Sequence, residues 1–321
     1  MAQPNHDLTA TAAGTVLGTY LRAQATAFLR GLRLHEEGAA SGGGEVSEAA
    51  RSLRGAARRI SCSLSTFRAV ADSSWADSLR TELVWLSATL ADEHAYAARL
   101  SRLMDALQRL SGSPEVPAPR GTAGSLTVGS ARAGALLERQ LTLARTRAHS
   151  ATLQALGSSR FHAVADAVAV LASEVPLDPV AAGGRVDEVL VPLAEVARSR
   201  LSTAVHSLPA PSPSHPYDAD HDGSWNEVRR LLRVHRYAQE ALGGDVARLT
   251  AAGEALTRHR DAAEAAAASA TAARTPRIAP ATAYALGVLH ADQRHEVEAS
   301  RTTFQHIWHP ADSSQSSPAG V

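Results

Sequence analysis

The sequence predicts an all-α protein, and three observations carry that prediction. Hydrophobic residues make up 45% of the 321-residue chain but aromatics only 4%, so its core must be built from Ala, Leu and Val. Tyr, Phe and Ile are scarce, which argues against a sheet, whereas the abundant Ala, Leu, Arg and Glu favour helices. Apolar residues also recur at helical spacing along most of the chain.

The first helix is expected over about Gly14 to Glu37, with Val16, Leu17, Leu21, Phe28 and Leu32 on one face. Residues Met1 to Ala13 are expected to be disordered. Ser41 to Gly44 is a glycine-rich break, and a second helix follows from Glu45 to Ala71. Asp72-Ser73-Ser74 provides a cap signal for the next element. Trp75 to Leu110 stays helical, with a bend near Ala91 to Glu93 expected to divide it into two helices. The prolines at 114, 117 and 119 mark a linker. Further helices are expected over Val128–Leu156, Arg160–Glu174 and Arg185–Leu208. Residues Pro209 to Gly223 hold four prolines and read as the main linker. The last three helices are expected over Ser224–Leu242, Asp245–Arg274 and Pro280–Trp308, followed by a disordered tail over 309–321. Roughly ten helices with short loops suit one helical bundle or two. The domain division is then 14–208 for a first bundle with its connecting helices and 224–308 for the second half.

Arginines and acids balance at 32 each, and no lysine occurs. A neutral whole gives no general pull on nucleic acid, so an anion site must come from local arrangement. A GC-rich genome explains the missing lysine. Its chemical consequence is that every fixed cation is a forked guanidinium able to grip phosphate bidentately. Cys62 is the lone cysteine, so no intramolecular disulfide forms and a reducing compartment is natural. The N-terminus lacks a basic n-region and an apolar h-region, and no segment approaches 18 uninterrupted apolar residues. These features make the cytoplasm the expected location.

Two helices carry arginine stripes. At about 100° per residue, Arg51, Arg54 and Arg58 lie within a narrow sector, with Leu53, Ile60, Leu64 and Phe67 opposite. Arg59 lies beside that stripe, and Glu48 is the one acid within its reach. In the second helix Arg229, Arg233 and Arg236 form a stripe with Arg230 beside it. There Val228, Leu231, Val234 and Ala238 are expected to face inward, and Glu240 stands where it would neutralise Arg236. The pair Arg54 and Arg58 recurs as Arg229 and Arg233 at the same offset, a weak internal echo. Either stripe could be a solvated face making salt bridges to neighbouring helices. Two in one neutral protein also suit a shared anion surface, and a chain of phosphates matches cations rooted about 5–6 Å apart. With no aromatic in either stripe, nucleic acid is served less well.

The remaining candidates point away from catalysis. Of fourteen histidines, His94, His149, His162, His235, His259, His295, His306 and His309 are scattered with no zinc-ligand spacing, so no metal or other cofactor is expected. Asp218-Ala219-Asp220-His221-Asp222-Gly223 resembles the opening of a calcium loop, but the twelfth position is Arg229, which excludes calcium. No phosphate-loop, nucleophile-elbow or dinucleotide turn occurs. Adjacent acids such as Glu36-Glu37 and Asp92-Glu93 diverge on a helix.

Arg51-Ser-Leu-Arg54-Gly-Ala-Ala-Arg58-Arg59-Ile60, followed by Leu64-Ser-Thr-Phe67-Arg68, resembles the His-x-x-Arg-Val-x-x-Arg-Arg-Leu/Ile signature of the CHAD family, the conserved histidine α-helical domain. Trp75 to Leu86 is similar to the stretch that follows that signature. Asn226-Glu-Val-Arg229-Arg230-Leu-Leu-Arg233-Val-His235-Arg236-Tyr237 resembles the second-half motif, and Ala285 to His290 the closing helix. The name-giving histidines fall on Arg51 and Asn226, and the later acidic position reads Ala95 in the first half and Asp261 in the second. The resemblance covers about Thr15 to Trp308. It implies two four-helix bundles related by pseudo-twofold symmetry. It also implies non-catalytic binding of inorganic polyphosphate by Arg51, Arg54, Arg58, Arg59, Arg229, Arg230, Arg233 and Arg236, in the cytoplasm and at polyphosphate granules. Neither a membrane nor sequence-specific nucleic acid is an expected partner. The alternatives are a helical adaptor whose basic faces pair with an acidic protein and, third, a phosphohydrolase.

Overall fold

The computed structural model describes residues 11–41, 45–112, 123–209 and 219–309. Among them are ten helices and no strand: α1 (Ala13–Ser41), α2 (Glu45–Thr66), α3 (Ser73–Gly112), α4 (Ala123–Leu156), α5 (Ser159–Ser173), α6 (Pro179–Gly183), α7 (Val186–His206), α8 (Asp222–Ala241), α9 (Ala247–Ala273) and α10 (Pro280–Trp308). The expected linker around 114–119 and the outer parts of both termini lie outside the described residues.

Ten helices agree with the sequence estimate only because two errors offset. The bend near Ala91 to Glu93 is absent, and α3 runs unbroken through 40 residues. Its periodicity slips there for another reason. The chain forms two compact units, and α3 passes from the first to the second at Tyr96–Ala97. Leu79, Leu83, Leu86 and Leu90 are buried on one side of that point and Leu103, Ala106 and Leu107 on the other. A helix serving two cores changes the phase of its apolar stripe without needing a break. The missed element is α6, five residues capped by Asp178, whose side chain accepts from the Val180 and Ala181 amides at 3.0 and 2.8 Å. Pro192 sits inside α7 but on its exposed side, so the backbone bond it removes lies toward water.

Thr11 to Ala13 are not disordered as the sequence suggested. Ala13 N–H donates to Gly184 O at 2.8 Å and Val186 N–H to Thr11 O at 3.2 Å, so short bridging pairs tie the start of α1 to the start of α7. At the other end, His309 still donates its amide to Gln305 O at 2.8 Å.

The first unit comprises the chain up to Tyr96, Leu143–His206 and Leu231–Val246; the second comprises Ala97–Thr142, Ser207–Arg230 and the chain from Ala247 on. The first has a Leu- and Phe-rich core around Leu17, Leu21, Phe28, Leu53, Ile60, Leu64, Phe67, Leu86 and Leu171. There α1 and α2 pack closely at Gly31, where an added Cβ would stand 3.1 Å from the Leu53 nitrogen, so any larger residue would push α2 outward. The second unit is leaner. Its α9 buries Ala252, Ala255, Ala262, Ala265, Ala266 and Ala272, and α10 packs Leu286, Leu289, Val297 and Phe304.

Candidate anion-binding site

Helix α2 orients its arginines as the sequence predicts. Leu53, Ala56, Ala57, Ile60, Leu64 and Phe67 are buried. That leaves Arg51 exposed and Arg54, Arg58 and Arg59 half-buried at the edge of the core. Helix α8 is rotated from expectation. Its buried stripe is Trp225, Val228, Leu232, His235 and Ala238, while Leu231 and Val234 are only half-buried. The aliphatics were the wrong guide, because an aromatic and a histidine complete the i, i+3, i+4 pattern. Burial holds the His235 imidazole below its ordinary range against the opposing charge of Glu195, so the ring stays neutral. Arg229, Arg233 and Arg236 remain half-buried along the other side of α8, with Arg230 exposed.

The structure brings two of the eight candidate arginines together within the first unit. Arg59 Nε of α2 donates to Glu240 Oε2 at 2.8 Å. Arg236 Nε of α8 lies 3.4 Å from Glu240 Oε1. Both guanidiniums stand against the ring of Tyr237, their central carbons 5.1 and 4.9 Å from its centroid. Tyr20 of α1 completes the knot, its hydroxyl donating to Glu240 Oε2 at 3.3 Å. Burial first, then the Glu240 carboxylate, raises the Tyr20 phenol well above its usual range, so it remains a donor. Burial opposes charge on Arg59, but the hydrogen bond to Glu240 together with electrostatic attraction to Tyr237, Glu240 and Tyr20 outweighs it and keeps the guanidinium charged.

The sequence anticipated the Arg236–Glu240 pair because both lie on one helix. It could not anticipate Arg59 or Tyr20, which reach the same carboxylate from α2 and α1. The Tyr237 ring was missed as well. It is a cation platform adjoining the stripe, but at 4% exposure it offers no face to a nucleic-acid base.

The other candidates are placed differently. Arg51 pairs with Glu48 and Arg230 with Glu227 at 2.7 Å, each on its own helix and largely exposed. Such i, i+3 pairs are worth little and break readily. Arg229 and Arg230 belong to the second unit and Arg233 and Arg236 to the first, although all four share α8. Asn226, at the second signature-histidine position, has its side-chain oxygen buried without a hydrogen bond among the described residues.

A second charged cluster, inside the second unit, was not expected at all. Asp222 begins α8, where the sequence showed a linker and an incomplete calcium loop. Its carboxylate accepts from Arg294 Nη1 and Arg301 Nη2, both at 2.7 Å, and lies 3.5 Å from His259 Nε2. Arg301 also donates through Nη1 to Glu298 at 2.7 Å. His259 stacks on Trp225 with ring centroids 5.6 Å apart, and Trp225 meets Phe304 edge-on at 5.7 Å. Burial would raise the Asp222 carboxyl, but bonds from His259 and Arg294 overcome it and hold the group at about 2. Burial in turn lowers His259, which is therefore neutral. Arg294 is 1% exposed, so the cluster is internal structure.

Three further observations concern the described residues. A groove of about 530 Å³ in the second unit is lined by Arg102 and Arg109 together with Asp105 and Glu296, so its charges cancel. No group of three His, Cys, Asp or Glu side chains could hold a metal. No helix is long and apolar enough to cross a membrane.

The CHAD domain family model matches residues 23–270. The chain belongs to the CHAD family. Among solved structures, PptA from Streptomyces chartreusis is similar at 58% identity with a TM-score of 0.80, over 93% of this chain and all of that one. The CHAD domain from the plant Ricinus communis aligns over 94% of this chain and 93% of its own, with a TM-score of 0.60. At 19% identity that likeness supports the CHAD fold alone. No curated protein matches the chain. Arg59 lies in the segment that resembles the first CHAD signature and Arg236 in the one that resembles the second-half motif, and the knot at Glu240 joins these two segments.

Proposed function

We propose that this CHAD protein binds inorganic polyphosphate without catalysis, through the arginine faces of α2 and α8. The observation that carries this reading is the meeting of Arg59 and Arg236, one from each motif, at a single carboxylate, itself 19% exposed. Arg54 and Arg58 stand about one helical turn apart on α2 with Arg59 next to Arg58, and Arg233 stands about one turn before Arg236 on α8. Guanidiniums repeated at that spacing match the spaced negative charges of a phosphate chain and can hold its oxygens bidentately. Arg51, Arg229 and Arg230 extend the two faces, and the exposed pairs of Arg51 and Arg230 are weak enough to exchange for phosphate. The CHAD family resemblance supports the same ligand. Among the described residues no acidic metal-ligand cluster is found that would activate water, which favours binding over hydrolysis. In cells the protein would collect on polyphosphate granules in the cytoplasm.

Titration with long-chain polyphosphate over a salt series tests this. Binding should weaken steeply with salt, because phosphate contacts release counterions. The triple change Arg54→Ala, Arg58→Ala, Arg233→Ala should lower affinity on the order of 100-fold and flatten the salt slope by about 2 to 3. Salt-independent binding, or full binding by the triple variant, would instead point to an acidic protein partner. Release of phosphate during incubation with magnesium would overturn the non-catalytic part.

A further inference from the structure

Glu240 lies against Arg59 and Arg236, two of the cations that the proposed site would offer to phosphate. We propose that it is a resident counter-ion, exchanged for the polyanion on binding, which lowers the affinity of the site and sets the anion density needed to fill it. The inference rests on the polyphosphate reading and adds its regulation.

Four observations carry it. Glu240 is the one carboxylate shared by the two motif arginines. Arg59 meets it through a good hydrogen bond, but Arg236 does not: its Nε at 3.4 Å lacks hydrogen-bond geometry and stays otherwise unbonded. One of the two grips is therefore already loose. Both arginine side chains keep some contact with solvent, at 33% and 21% exposure, although the Arg236 Nε beside Glu240 is itself buried, so an anion would enter from the Arg59 side. Finally, the Tyr237 ring lies against both cations and is itself buried, so it holds them near one another whether or not the carboxylate is engaged. A carboxylate brings one negative charge to two cations, whereas adjacent phosphates bring one each. A polyphosphate segment therefore neutralises the pair better than Glu240 does, and its repeated charges also reach the flanking arginines, as a single inorganic phosphate does not.

The substitution Glu240→Gln keeps the shape of the side chain and removes its charge. Full-length wild-type and E240Q proteins are titrated with long-chain polyphosphate and with inorganic phosphate across a salt series, after circular dichroism and thermal melting. Polyphosphate binding by E240Q should be roughly three- to tenfold tighter, with a salt slope steeper by about 1 to 2. Its preference for polyphosphate over inorganic phosphate should narrow. If wild type binds polyphosphate and E240Q binds equally or more weakly, the functional reading stands and the resident-ion proposal falls. Binding by E240Q alone would support the proposal and defeat the reading for the native protein. If neither binds, both fail. Should E240Q not fold, Tyr20→Phe removes a neutral donor from the same carboxylate and leaves its charge. Affinity within about twofold of wild type then supports a counter-ion role. A tenfold loss would mark the knot as a positioning device and overturn the proposal.

Discussion

Each unit of the protein holds a carboxylate gripped by two arginines, yet the two arrangements do opposite work. At Asp222 the guanidiniums are 1% and 11% exposed and come from one helix, α10, with His259 and Trp225 closing the site. At Glu240 they are 33% and 21% exposed and come from two helices that each carry further arginines along the same face. Removing a carboxylate from a buried pair strands charge in a poorly polarisable interior. Removing one from a half-exposed pair hands the cations to water or to another anion. Burial of the arginines thus separates the cluster locked into the protein's own structure from the one proposed to exchange its carboxylate for a ligand.

The sharpest way to break that comparison is Asp222→Ala. It leaves Arg294 buried without its carboxylate and should cost about 3–5 kcal/mol, read by denaturant unfolding. A cost below about 1 kcal/mol would mean the two clusters are alike.

Acid titration gives the next largest effect. The Asp222 carboxyl is held at about 2, below its ordinary 3.8. Its stabilisation is therefore complete above pH 3.8 and is lost as pH falls through about 2. His259 is also lowered from 6.5, but as a base it is kept neutral in the folded protein. Its protonation favours the unfolded chain, so stability also declines as pH falls below 6.5. Unfolding midpoints measured from pH 7 to pH 2 should show both declines in wild type. His259→Gln should flatten the upper one, and Asp222→Asn the lower.

The smallest effect belongs to the exposed pairs. Arg51→Ala and Arg230→Ala should each shift stability by no more than about 0.5 kcal/mol. Each should weaken polyphosphate binding severalfold and reduce the salt slope by about 1. A large stability loss in either would mean the stripes are structural.

Much of the fold was legible because helix formation is largely a local matter. The span Pro280–Trp308 emerged with the same bounds, since a proline at the first helical position marks its start and the periodicity carries it on. The arginine stripe of α2 was legible for the same reason. What misled were features whose cause lies elsewhere in the chain. The phase slip in α3 looked like a bend because two cores claim one helix. Leu231 and Val234 looked like core because nothing in α8 alone says that His235 will be desolvated. Asp222 looked like linker because its partners, Arg294 and Arg301, lie on α10.

By itself, then, the sequence determined the helices, their cation-bearing faces and the motifs that place the chain in its family, all of which depend on spacing within about one turn. The tertiary structure decided which arginines are spent on the protein's own carboxylates and which keep a face toward solvent. That choice depends on which helices pack together and how deeply, and the period of a single helix carries no record of either.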